Sequence, residues 1–464
     1  MQQKKYAVFV VAALAISAIS YLAFGLPGYC SDDFMRLYLA AKWSISPVYM
    51  QIAEWPPLYS VVYGSFLKLP FAPLGVAHGL TGALMGLFIF IACLTIERLS
   101  GSSSVALLGG IILLVNPLFF RLTLSTLSEP LYLCLCAVLF YFLYRWRENN
   151  RESYYYAAVV TVIALTLTRI DCWIPLTLFF GGWAIKDRSK KIALLTMACV
   201  FFPLLWTAEI TERSGSPWTL YRAYRDDSVE FYAGRFLVPY LHLVKDTLIN
   251  FPFLLLLPTL AWKKSRLAQL SLGLFAMQLF LTWGKLPTVF PERIFALPGF
   301  LSILCFCLHY GRKILSSDRG AVWITTTALC CFTVVQFYFR PPTYHRQAYD
   351  LGKKLAHSPA WHRIETELRI GSHVGTDKLP IIALQTRSVM NFHHLFTDAD
   401  KPGILFMPYP SPNIFLFDDP NAAAILKKNN PSFGEIRQDP FLILADAQDP
   451  RFIDLKKEFS PQTK

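Results

Sequence analysis

Apolar runs long enough to cross a bilayer recur along the first three quarters of the chain, separated by short polar turns, and then stop. Their pattern predicts helices at roughly 6–26, 74–96, 104–120, from the SEPLY segment to RWRENNR (145–151), 154–168 and 172–186. Five more follow at roughly 192–208, 246–262, a run ending near Gly284-Lys285, 293–310 and 321–339. Lys and Arg gather in alternate turns, at Met1–Lys5, 145–151, KDRSKK (186–191), WKKSR and Tyr310–Lys313. The positive-inside rule makes those turns cytoplasmic. The expectation is eleven spans, with the N-terminus inside and the C-terminus outside.

Two polar regions interrupt this plan. Outer loop 27–59 contains GYCSDDFMRLYLAAKWSISPVYMQIAEWPPLYS, with Asp32, Asp33, Arg36, Lys42 and Glu54 between strongly apolar segments. Ser31-Asp32-Asp33 is also a plain helix start, because acids in a first turn satisfy free amides and oppose the helix dipole; the helix would run through Lys42. A second outer loop is expected at 209–245. Beyond residue 340 no bilayer-length run remains. Residues 341–464 read as a small α/β domain, with β-like stretches at Pro380–Leu384, Ile404–Met407 and Phe441–Ala445. Helical stretches are expected at Tyr344–Ala356, Trp361–Leu368 and Asn421–Asn429. The fold class is therefore an all-α polytopic membrane domain (1–340) carrying a small extracytoplasmic α/β domain (341–464).

Composition fixes the setting. A soluble chain of 464 residues would make about three domains. With 54% apolar and only 16% charged residues, this is a membrane protein. The net charge of +13 marks topology and not nucleic acid, since the cations sit in the turns between apolar runs. Most of the ten cysteines lie inside apolar runs, where they act as small apolar residues and imply no pairing. Tyr6 to Phe24 is long for a cleavable signal, and many spans follow it.

With that topology, charged residues near membrane boundaries share the outer side: Asp32, Asp33, Arg36, Glu54, Arg121, Glu129, Arg169, Asp171, Glu292 and Arg293. Ionisable groups near lipid are costly, so they face a cavity and pair with one another. Any one of them alone reads as a structural ion pair; a set of acids and arginines on one face suggests a site. The acids Asp226 and Asp227 and the histidines His345, His373, His393 and His394 read as solvated or core residues.

Four features occur in order: Ser31-Asp32-Asp33-Phe34 after the first span, Trp55-Pro56-Pro57-Leu58-Tyr59 before the second, Ser128-Glu129-Pro130-Leu131 opening a middle span, and Pro291-Glu292-Arg293 through Leu297-Pro298 near a late one. Together they make the chain resemble the GT-C superfamily of membrane glycosyltransferases, in the branch of the protein O-mannosyltransferases and aminoarabinose transferases. Many relatives carry Asp-Glu where this chain has Asp-Asp, and often Asp where it has Glu129. The resemblance implies a polyprenyl-phosphate-sugar donor, an acceptor hydroxyl on a lipid, glycan or protein, and a bacterial inner membrane, with the endoplasmic reticulum as the other setting. It leans towards metal-independent transfer, so no metal or cofactor is assigned.

The chemistry matches those residue types. Transfer to a hydroxyl needs a base as an oxocarbenium-like transition state forms, a role the resemblance gives to Asp32 or Asp33, with Glu129 grouped beside them as catalytic. The lipid-phosphate leaving group needs cations; Arg293, Arg169 and Arg121 are candidates because guanidinium binds phosphate in a bidentate way. Arg36, Glu54 and Asp171 complete the expected substrate site. The Trp55-Pro56-Pro57 segment reads as a rigid bend. A lipid-linked glycan transporter or a non-catalytic envelope assembly factor are the alternatives; the chain shows neither the internal repeat nor the broken midplane helices of the first.

Overall fold

The structure is a computed structural model describing residues 2–24, 31–48, 50–51, 55–218, 245, 247–262, 265–283, 291–317, 346–367, 370–373, 378–386, 392–394, 396–397, 405–406 and 414–459. Two compact units divide the chain. The first takes Met1–Leu22, Val48–Tyr59 and His78–Pro341; the second takes Ala23–Pro47, Ser60–Ala77 and Pro342–Lys464.

The first unit is helical. Its helices are α1 (Ala7–Phe24), most of α4 (Pro73–Ser100), α5 (Ser103–Val115), α6 (Pro117–Thr123), α7 (Glu129–Asn149) and α8 (Glu152–Thr166). They continue with α9 (Trp173–Asp187), α10 (Lys190–Ser214), α11 (Leu257–Trp262), α12 (Arg266–Trp283), α13 (Pro291–Ile294) and α14 (Ala296–Ser317). Small residues bring α1 and α4 together: a Cβ on Gly86 would lie 2.6 Å from the Val10 Cα, and one on Gly82 3.0 Å from the Ser17 Cβ. This Gly82-x-x-x-Gly86 face is the close-approach device of apolar helix pairs. The Ser17 hydroxyl donates to the His78 carbonyl across the same seam at 2.8 Å.

Two expected spans are broken. Residues 104–120 form not one helix but α5 and α6, bent by 69°. Pro117 cannot continue the amide ladder and pushes Asn116 out of the helical region, φ −59° and ψ 131°. Asn116 then caps α6 through its own side chain and donates to the Asn250 carbonyl at 2.7 Å. Proline acts the same way at Pro252, where a 3-10 turn (Pro252–Leu256) precedes α11 inside the run read as 246–262. The outer loop read as 209–245 begins later than expected. α10 continues through Ser214 to a left-handed Gly215, and 219–244 lie outside the described residues, as does the eleventh expected span.

Among the described residues three helices are long and apolar enough to cross a membrane, four if α5 and α6 count as one. That supports a multi-pass chain; eleven is a count from sequence. Seven described cysteines are buried and unpaired.

The second unit joins α2 (Ser31–Ile45) and most of α3 (Leu58–Leu67) to the C-terminal region. Gly64 lets α3 approach α2, since a Cβ there would meet the Ala40 carbonyl oxygen at 2.6 Å. The C-terminal region holds α15 (Arg346–Ala356), α16 (Pro359–Glu367), α17 (Leu379–Thr386), α18 (Pro420–Asn429) and α19 (Pro450–Phe459). Its strands are β1 (Ile370–His373), β2 (Phe392–His394), β3 (Phe396–Thr397), β4 (Leu405–Phe406), β5 (Ile414–Phe417), β6 (Phe433–Gln438) and β7 (Phe441–Asp446).

The main sheet runs β2-β1-β5-β7-β6; β1 is parallel to β2 and β5, while β7 is antiparallel to β5 and β6. β5 and β7 are buried on both faces, which is why IFLF and FLILA read as unbroken apolar runs. Pro380–Leu384 is not a strand: it lies in α17, packed against α2 and α15. A short apolar run buried all round looks alike in either state, and here helix packing decided it.

Candidate functional site

The charged residues of the first unit converge where α7 begins, where α8 gives way to α9, and where α13 precedes α14. Glu129 opens α7 with Ser128 at the cap position and Pro130 in the first turn, where proline needs no amide partner. Its carboxylate is fully buried. One oxygen, Oε1, lies 2.5 Å from Nη1 of Arg169 and 2.5 Å from Nε of Arg293. Both guanidiniums are themselves mostly buried, at 12% and 8% exposure.

Arg169 sits in an extended step between α8 and the 3-10 turn Ile170–Cys172. Its Nε donates to both Asp171 oxygens at 2.8 and 3.1 Å, its Nη2 donates to Oδ2 at 2.8 Å, and its Nη1 also reaches the Ser128 hydroxyl at 3.3 Å. The Tyr132 ring lies against it at 5.8 Å. Four of the five N–H donors of Arg169 thus already have acceptors. Burial opposes its charge, but Asp171 and Glu129 outweigh that and hold its pKa above the ordinary value. Two acids and two arginines sum to no net charge, as a low-dielectric site requires.

The surrounding backbone is fixed by the Trp-Pro-Pro segment. The Tyr59 hydroxyl donates to the Thr126 carbonyl at 2.5 Å, and the Leu58 amide donates to the Leu167 carbonyl at 2.9 Å. Trp173 Nε1 donates to the Thr166 carbonyl at 2.8 Å. These bonds fasten the strand of chain before α7 and the end of α8, which carry Glu129 and Arg169. The sequence reading treated Trp55–Tyr59 as a bend and missed Tyr59, Thr126 and Tyr132 as supports. Ser128 makes no capping bond of its own; its hydroxyl accepts from Arg169 instead.

Arg121, on α6, is half-buried. Glu54 lies outside the described residues, and so does the side chain of Glu292. Asp32, Asp33 and Arg36 belong to the second unit. There they open α2 as expected, with both acids in its first turn. The pair divides: Asp33 is fully buried and Asp32 half-buried, while Arg36 is buried one turn on. Further along, burial pushes the Tyr38 phenol up to about 12 and lowers the Lys42 ammonium, whose Nζ stands over the Tyr38 ring at 4.5 Å. Among the described residues no three His, Cys, Asp or Glu side chains are grouped to hold a metal ion.

No family model matches the chain, and no curated protein is found as a relative. Solved structures do match over nearly the whole length. ArnT from Cupriavidus metallidurans in the apo state superposes with a TM-score of 0.63 at 13% identity, covering 98% of each chain. The same protein bound to undecaprenyl phosphate gives 0.62 at 13% identity, over 95% of this chain and 98% of that one. The chain has the fold of ArnT.

Proposed function

From that fold we propose that the protein is a membrane glycosyltransferase, moving a sugar from a polyprenyl-phosphate donor to an acceptor hydroxyl with inversion at the anomeric carbon. In one displacement, the acceptor oxygen bonds to the anomeric carbon as the bond to phosphate breaks and the acceptor proton passes to a carboxylate. Asp32 is that carboxylate. Of the two aspartates it is the half-buried one, whereas Asp33 is fully enclosed.

The departing phosphate gains negative charge and needs cationic stabilisation. Arg293 supplies it. Arg169 stands on the other side of the Glu129 carboxylate that both guanidiniums share. Glu129, enclosed between two guanidiniums, is a positioning residue in this mechanism and not a base. Carrying the reading is the buried Arg169–Glu129–Arg293 arrangement on a fold that in ArnT holds undecaprenyl phosphate.

The test uses purified protein with a labelled polyprenyl-phosphate sugar and membrane lipid extract as acceptor. Wild type should release free polyprenyl phosphate in step with glycosylated product. Asp32→Asn should slow this by about 10²–10⁴-fold, as expected for loss of a general base, while Asp33→Asn keeps most of the rate. Full turnover in both variants would remove the assignment. Translocation of the donor without sugar release would favour the transporter.

A further inference from the structure

At the other end of α7 the chain turns back through Asn150, and α9 turns into α10 through Arg188; both residues are left-handed, φ 49° and 48°. The two turns lie side by side. The Trp146 and Trp183 rings are 6.5 Å apart, Arg147 stands 5.2 Å over the Trp183 ring, and the Tyr155 hydroxyl donates to the Lys191 carbonyl at 3.0 Å.

Their acids are already engaged. Glu148 accepts from Arg145 at 3.0 Å, Glu152 pairs with Lys191, and Asp187 accepts from Trp183 Nε1 at 2.5 Å. Five exposed cations remain, Arg147, Arg151, Lys186, Arg188 and Lys190, and among the described residues none has a carboxylate partner. Seven cations against three carboxylates leave the two turns strongly positive.

Moving along the helices from the turns, the surface changes twice. The first tier is aromatic, with Trp146, Trp183 and the 59% exposed Tyr156. Next come exposed apolar side chains on α8 and α10, among them Val160 at 66%, Leu194 at 45% and Met197 at 67%. Cations, aromatic rings, then bare hydrocarbon is the order of a bilayer's headgroup, interface and core.

We propose that the paired α7–α8 and α9–α10 turns bind anionic phospholipid headgroups of the adjoining leaflet. Charge complementarity names the occupant: the surface offers exposed cations without carboxylate partners, directly continuous with an exposed apolar face. The inference is independent of the sugar-transfer reading.

The test is native mass spectrometry of the full-length protein released from micelles containing equal phosphatidylglycerol and phosphatidylcholine. Wild type should retain phosphatidylglycerol with roughly tenfold preference. Replacing all five (Arg147→Gln, Arg151→Gln, Lys186→Gln, Arg188→Gln, Lys190→Gln) should bring the preference close to unity. A charge-conserving set (Arg147→Lys, Arg151→Lys, Lys186→Arg, Arg188→Lys, Lys190→Arg) should keep it. An unchanged melting midpoint in phosphatidylcholine alone shows that the Gln set folds. Equal retention of both lipids by wild type, or an undiminished preference in the folded Gln set, would overturn the proposal. Thermal stabilisation by inorganic phosphate equal to that by phosphatidylglycerol would overturn it too, as a site for any anion.

Discussion

At one end of α7, Glu129 is fully buried between Arg169 and Arg293; at the other, Arg147 and Arg151 stand exposed near Glu148 and Glu152, which other residues hold. One end balances two positive charges with two negative ones out of water. The other leaves five cations in the open. The difference teaches what sets the value of a charge. A buried ion without a partner costs several kcal/mol, so every member of the first set is tied to another. An exposed ion is screened and contributes almost nothing to folding, so the second set is free to meet something outside the protein.

Removing the centre of the buried set should have the largest effect. Glu129→Ala removes the buried carboxylate that two guanidiniums share and should cost ~3–5 kcal/mol, read as a steep fall in the melting midpoint in detergent. A variant that melts like wild type would erase the contrast between the two ends. Asp171→Asn weakens the charge-assisted bonds to Arg169 and should cost about 1.5–3 kcal/mol in the same assay. Tyr59→Phe removes one neutral donor to the Thr126 carbonyl and should cost about 1 kcal/mol.

At the exposed end, Lys191→Gln breaks the pair with Glu152 and should shift stability by less than about 0.5 kcal/mol. A loss as large as that of Glu129→Ala would mean that this end, too, is held together by its charges. The smallest effect belongs to the C-terminal region. There the Arg451 side-chain bond holds the Asp449 carboxyl below its ordinary value. A depressed folded pKa contributes stability above the unfolded value of about 3.9 and loses it as pH falls through the folded one. Asp449→Asn should therefore flatten stability between pH 6 and 3 by well under 1 kcal/mol, in pH-jump melts.

Much of this was legible in the residues. Apolar periodicity placed α1, α4 and α7–α10, because a bilayer-length run has few alternatives. Ser31-Asp32-Asp33 announced α2, and the cost of charge near lipid announced that boundary charges would pair, though not that Glu129, Arg169, Asp171 and Arg293 would be the ones to gather. Other features needed three dimensions. The Asn116 bond to the distant Asn250 carbonyl could not be read beside Pro117, which makes the bend, and Pro380–Leu384 became helix through packing on α2 and α15. The unequal burial of Asp32 and Asp33 is a matter of helix face, which adjacent residues cannot reveal by identity. Nor could sequence show how Arg169 divides its donors among Asp171, Ser128 and Glu129.

The most direct measurement compares sugar transfer from a polyprenyl-phosphate donor by Arg293→Gln and by the five-Gln variant of the exposed end, both checked for folding. The account predicts a fall of about 10²-fold or more for Arg293→Gln, as for loss of a group that stabilises developing charge, and a wild-type rate for the other. A wild-type rate for Arg293→Gln, or a collapse of transfer in the five-Gln protein, would contradict it.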